Sequence, residues 1–181
     1  MNIIKQLKDL AFEKQLKSEL AKNHREHRLF NAQEVASVGI LYHFTDDETD
    51  RVMNDFVGEL RGNKRKVMVL GYTKDKVLPS YFSPKLNWDI LIPKNINWFN
   101  KPTDPFVKSF CKEEFDLLID LTMDDFEPII YAGALSRAHF KTGSYTIQHA
   151  KYYDLMIHTE HVQSLPEFIK HVKHYISKVN L

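Results

Sequence analysis

Polar side chains collect wherever an apolar run of this chain ends. His43 and Thr45 close the run from Val38 to Phe44, and Thr73 and Lys74 follow the run from Lys66 to Tyr72. Asp120 and Thr122 close the run that starts at Phe115, and His158 closes the run that starts at Tyr153. If these runs are parallel strands, their carboxyl ends lie side by side. Ligands of open α/β sheets bind just beyond those ends. An imidazole, an ammonium group, a carboxylate and several hydroxyls would meet there, a set able to hold a polar ligand or exchange protons with one. His43, Thr45, Thr73, Lys74, Asp120, Thr122 and His158 are therefore the candidate ligand-binding residues.

Other groupings carry less chemistry. The pairs His24/His27, His158/His161 and His171/His174 share the H-x-x-H spacing that places two ligands on one helix face. Only the last pair falls on a clear helix, and no acidic third ligand lies close by in sequence. Asp124 and Asp125 could join Asp120 around a divalent cation, or simply cap a helix. Lys141-Thr-Gly-Ser-Tyr145 has the look of a small phosphate or nucleobase loop, and equally of a tight turn after a strand. Cys111 is the one cysteine. Its apolar neighbours point to a buried thiol, and no intramolecular disulfide can form. No G-x-G-x-x-G follows the first strand, and neither G-x-x-x-x-G-K-[ST] nor G-x-S-x-G occurs. Asp46 and Asp47 stand where a phosphate cradle would need glycines, and carboxylates there repel phosphate. No cofactor and no metal is expected.

The elements that must position these residues follow from periodicity. Short apolar runs flanked by charge mark strands buried on both faces, at about 35–43, 65–72, 89–93, 115–122 and 153–158, with a further short strand near 140–145. Helical spacing connects most of them. Thr45-Asp-Asp-Glu48 reads as a capping box for a helix that buries Val52, Met53, Phe56, Val57 and Leu60 and closes at Gly62-Asn63. Asp104-Pro105 opens a helix to about Glu114. Asp124 or Asp125 caps the next, through Ala138. Ser164-Leu-Pro-Glu167 is a second capping box, before a stripe of Leu165, Phe168, Ile169, Val172, Ile176 and Val179. The expected fold is a three-layer, Rossmann-like α/β domain with a mostly parallel sheet of five or six strands and an extra N-terminal helix. Residues 1–30 form a helical appendage, and 31–181 form one domain.

That helix, residues 2 to about 24, sets Ile3, Leu7 and Leu10 on one face, with Leu16 and Leu20 in a less regular continuation. It must pack on the domain, on a twin chain or on a partner. Its bases, with Lys5, Lys8, Lys14, Lys17, Arg25 and Arg28 as partner-binding candidates, could touch RNA phosphates, anionic lipid or a protein. Acids interleave with them. The formal net charge of +1 and the 43% apolar content demand neither nucleic acid nor membrane. No apolar run approaches the ~20 residues of a bilayer span, and Lys5, Lys8 and Asp9 break any secretory core. The expectation is a cytoplasmic protein.

The run Phe115-Asp-Leu-Leu-Ile-Asp-Leu-Thr122, the segment from Ala132 to Gly143 and Tyr153-Asp-Leu-Met-Ile157 together resemble an uncharacterised family of small bacterial α/β proteins. The resemblance covers nearly the whole chain and implies the fold but no activity. Phe115 to Gly143 is also similar to the N-terminal half of heptosyltransferase-type glycosyltransferases, whose donor-binding second domain has no counterpart here. Three functions follow as expectations. The first is a non-catalytic protein binding a partner or a small polar ligand. The second is an enzyme acting on a nucleotide-sugar or phosphate ester through Asp120, His43 and Lys74. The third is an RNA- or ribosome-associated factor using the N-terminal helix.

Overall fold

A computed structural model describes residues 3–29 and 31–178. Among the described residues five α-helices and six strands follow one another: α1 (Ile3–Leu20), β1 (Ser37–His43), α2 (Asp47–Gly62), β2 (Lys66–Tyr72), β3 (Trp88–Leu91), α3 (Pro105–Lys112), β4 (Leu117–Asp120), α4 (Glu127–Leu135), β5 (Phe140–Ser144), β6 (Leu155–Ile157) and α5 (Leu165–Ile176). The six strands form one sheet in the order β3-β2-β1-β4-β5-β6, and every pairing is parallel. This is the expected Rossmann-like α/β architecture.

The sheet is buried on both faces because successive residues feed different cores. Ile40, Val69, Ile90 and Ile119 point into one, with Met53, Phe56 and Leu60 of α2 and Phe168 and Val172 of α5. Leu41, Leu70, Leu91 and Leu118 point into the other, with Phe110 of α3 and Ile129 of α4. Continuous apolar strands are what such a sandwich requires. Phe12 and Leu16 of α1 are buried in this second core as well.

Helix ends depart from the sequence expectations. Asp46, one residue after Thr45, caps α2: its carboxylate accepts from the Thr49 N–H at 2.8 Å and from the Thr49 hydroxyl at 2.8 Å. Thr45 instead bonds the Thr49 hydroxyl, so a stronger acceptor has taken the cap. The left-handed residue after α2 is Lys64, with φ 61°, while Asn63 stays at φ −83°. Phe126 precedes α4, and no side chain caps it; Asp124 and Asp125 remain exposed. Ser164 precedes α5 without a side-chain cap, and Glu167 accepts from the Gln163 N–H at 2.9 Å. Asp104 caps α3 as expected, accepting from the Phe106 N–H at 2.9 Å. Val179, read as the end of the last stripe, lies outside the described residues.

Side-chain ties hold two irregular segments in place. The segment between β2 and β3 is pinned to α2 by Lys85, whose ammonium sits 2.6 Å from Asp50 and 4.2 Å from the centre of the Trp88 ring. After α1 the chain is strapped to the opposite end of the sheet. Arg25 donates to the Ala138 carbonyl at 2.7 Å and the His139 carbonyl at 3.0 Å, and pairs with Asp154.

Candidate functional site

The strand order reverses direction between β1 and β4, because the chain builds outward from β1 to β3 and then returns to lay β4 on its other side. Connections leaving the two central strands diverge at such a point and open a crevice. The crevice exists here, with a volume of about 310 Å³. The ends of β1 and β4 supply His43, Thr45, Leu121, Met123 and Phe126, and the starts of α2 and α5 supply Asp46, Glu48 and Ser164.

His43 is half-buried and held by aromatic rings. Its centroid lies 4.3 Å from that of Phe126 and 6.3 Å from that of Tyr72. Lys74 reaches over the other side of this cluster, 5.1 Å from the Phe126 ring centre. Burial and then the Lys74 charge lower the His43 pKa, against opposing pulls from Asp124 and Asp75. The imidazole is therefore neutral at pH 7, and its nitrogens can accept or donate one hydrogen bond each. Thr45 is exposed on the same rim. Asp46, Glu48 and Asp124 give the crevice an acidic border.

The other strand-end residues lie elsewhere. Thr73 is 2% exposed, and its hydroxyl accepts from the Asp75 N–H at 3.3 Å. His158 is exposed at the far side of the sheet, its ring stacked on Tyr145 at 4.6 Å. Asp120 and Thr122 are 0% and 1% exposed and sit beneath the crevice rather than in it.

Asp120 is locked into a buried network that sequence spacing did not reveal. Its Oδ1 accepts from the Thr122 N–H at 2.8 Å and the Thr122 hydroxyl at 2.7 Å. Its Oδ2 accepts from Tyr153 at 2.6 Å and faces His149 Nε2 at 3.7 Å. On the far side of that ring, Nδ1 lies 3.0 Å from the Ser144 carbonyl and 3.3 Å from the Ser144 hydroxyl. Ser144, His149 and Asp120 thus have the membership of a hydrolytic triad, but the hydrogens are already committed. A carbonyl can only accept, so Nδ1 must carry a proton and cannot take one from Ser144. The Ser144 hydroxyl donates to the Thr122 carbonyl at 2.7 Å. All three side chains are fully buried. The network ties β4 to β5, and in this arrangement the Ser144 hydroxyl has no free base beside it. Nothing local in sequence could have announced it, since Tyr153 and His149 arrive about thirty residues after Asp120.

Lys141 and its neighbours are also structural. Residues Phe140–Ser144 form a buried strand with no positive-φ glycine, which removes the loop and tight-turn readings of this segment. Lys141 Nζ donates to the Gly133 and Ala134 carbonyls at 2.8 and 3.1 Å, closing the end of α4. Desolvation pushes its pKa down to about 7. Desolvation pushes the Cys111 thiol up to about 12, which leaves it unreactive. Among the described residues no three His, Cys, Asp or Glu side chains converge to hold a metal ion. No helix among them is long and apolar enough to cross a membrane.

The partner-binding candidates also divide. Arg25 is spent on the strap described above, and Arg28 pairs with Glu26 at 2.8 Å. Lys5, Lys14 and Lys17 are exposed on α1, and Lys8 is half-buried.

Comparison with solved structures finds the glycosyl transferase family 9 from Veillonella parvula DSM 2008, 16% identical with a TM-score of 0.45. The similarity covers 83% of this chain and 43% of that one, so the chain spans less than half the length of that protein. No curated protein matches. A family of unknown function, DUF6913, matches residues 8–179. With that match running over nearly its whole length, the chain belongs to this family.

Proposed function

We propose that the protein is a non-catalytic binding protein that takes a small, hydroxyl- or amine-bearing ligand in the crevice between the ends of β1 and β4. The observation that carries this reading is the position of His43. It is the half-buried titratable group at the switch point, neutral at pH 7, packed by Phe126 and Tyr72, and open to the same 310 Å³ space as Thr45. Polar groups converging in a partly apolar cleft are the ordinary ground for a ligand site.

Two features favour binding over catalysis. A general base needs an orienting partner, and among the described residues no hydrogen bond to the His43 ring is present. The carboxylate Asp120 is withdrawn below the crevice floor and already has three donors. The acidic border of Asp46, Glu48 and Asp124 opposes a phosphate ester and favours neutral or cationic ligands.

The test is a thermal-shift screen of the full chain against monosaccharides, amino sugars and their phosphates, repeated with His43→Ala and Thr45→Val. The reading expects stabilisation by unphosphorylated members, lost in both variants. Stabilisation confined to the phosphates, or unchanged in both variants, overturns it.

A further inference from the structure

The outward face of α1 exposes a line of aliphatic side chains. Ile3, Leu7 and Leu10 are 70%, 55% and 64% exposed. Steps of four and three residues put them in one line, and the same steps continue it through Lys14 and Lys17. The line therefore reads as three aliphatic side chains followed by two ammonium groups. It carries no carboxylate. Asp9 and Glu13 lie on another flank, lining the groove between α1 and the body of the protein with Phe12 and Leu16, and Lys17 stands exposed at the edge where that groove meets the outward line. Glu19 is turned to Lys101 at 2.5 Å. Among the described residues neither Lys14 nor Lys17 makes an ion pair, so both charges are available.

The helix is also held from behind. Phe12 and Leu16 are buried in the core, and Glu19 pairs with Lys101 and accepts from Tyr131. The outward line is thus presented on a rigid support.

We infer that this face docks α1 on an anionic lipid bilayer. Ile3, Leu7 and Leu10 enter the headgroup–acyl boundary, and Lys14 and Lys17, one turn further on, meet lipid phosphates. The arrangement implies oblique contact, with the start of the helix deepest. Charge disfavours a second copy of the chain. An antiparallel pair centred on Leu10 sets Lys14 and Lys17 against Gln6 and Ile3 of its twin, within a stretch, residues 3–8, that holds Lys5 and Lys8 and no carboxylate. A parallel pair sets Lys14 on Lys14. A protein groove that takes a helix would read the same three anchors, and the lysine pair that extends the line is what favours an anionic surface. A fluid, flat, negatively charged surface needs only the outward line.

The experiment is co-sedimentation of the full chain with vesicles of phosphatidylcholine alone and of phosphatidylcholine mixed with phosphatidylglycerol. Binding is expected on the mixed vesicles, weakening as salt rises, and absent on phosphatidylcholine alone. Leu7→Gln combined with Leu10→Gln should reduce partitioning by about tenfold or more. Both side chains are exposed, so circular dichroism should show the fold unchanged. Lys14→Glu with Lys17→Glu should abolish the preference for the anionic lipid. The inference is overturned by failure to sediment with the mixed vesicles. It is equally overturned by binding that the leucine variant leaves intact. A concentration-dependent dimer in light scattering that the leucine variant abolishes would reassign the face to a second copy.

Discussion

Tyr153 donates its hydroxyl hydrogen to Asp120 Oδ2 across 2.6 Å, and both side chains are buried between α4 and the sheet. This bond ties the segment after β5 to the end of the central strand β4. It also explains why the most conspicuous carboxylate of the chain is unreachable from the crevice above it.

Replacing Tyr153 by Phe leaves a buried carboxylate oxygen without its donor. The expected loss is about 1.5–3 kcal/mol in chemical denaturation, the range for a hydrogen bond to a charged group. The tyrosine should also mark the alkaline limit of the fold. Burial and then Asp120 raise its pKa well above 10.0 in the folded state. The folded state then holds a proton that the unfolded chain gives up near pH 10, so stability is intact below that pH and falls above it. In Tyr153→Phe the fall above pH 10 should be shallower; an identical slope would show that the phenol is not enclosed.

Gly133 should invert the usual rule for helices. Alanine inside a helix ordinarily gains roughly 0.5–1 kcal/mol over glycine. Here an added Cβ would run into the Tyr153 hydroxyl, which cannot retreat without leaving Asp120. Gly133→Ala is expected to lower the denaturation midpoint. A raised midpoint would place Tyr153 elsewhere.

Lys141 predicts a pH dependence of the opposite sign to that of Tyr153. Its pKa falls from 10.5 to about 7 on folding, so between those values the unfolded chain binds the extra proton. Stability due to this group therefore rises with pH across that window, by at most about 1.4 kcal/mol per unit. Denaturation of the wild type and Lys141→Met from pH 7 to 10 should show their difference shifting steadily in favour of the wild type. A constant difference would mean that Lys141 stays charged throughout.

His43 can be followed by nuclear magnetic resonance. Its midpoint should lie below 6.5, because burial and Lys74 both disfavour the imidazolium. Lys74→Ala should raise the midpoint and Asp124→Asn should lower it further. A midpoint unmoved by either change would place the ring outside the crevice border.

On α1 the two sides of one helix should respond differently. Leu16→Ala is expected to cost ~2–5 kcal/mol as a core truncation. Leu7→Ala should stay within about 0.5 kcal/mol of the wild type. Equal effects would mean that the helix is rotated from the orientation described.

The sheet was legible in sequence wherever strands are covered on both sides. β1, β2 and β4 are runs rich in aliphatic residues because both cores draw on them. β5 was half hidden. Lys141, Thr142 and Ser144 look like loop residues, yet all three are buried, Lys141 satisfied by carbonyls at the end of α4 and Ser144 by the Thr122 carbonyl. Those partners are tertiary, so no window of neighbouring residues contains them. The same limit applies at the strand ends. His43 and Thr45 can be placed on a crevice from the position of β1 alone, whereas the burial of Asp120 depends on Tyr153. On α1 the more regular apolar line, Ile3-Leu7-Leu10, is the one facing out, and the irregular Phe12 and Leu16 face in. Periodicity locates a stripe without saying what covers it.

The outer strands β3 and β6 are only four and three residues long. Each offers little unpaired backbone on its free side, so the sheet is a poor template for edge-on extension by another chain. Growth of this molecule into fibres or sheet-continued oligomers is thereby discouraged at both margins. Whatever it associates with must be met through side chains on its helices and loops.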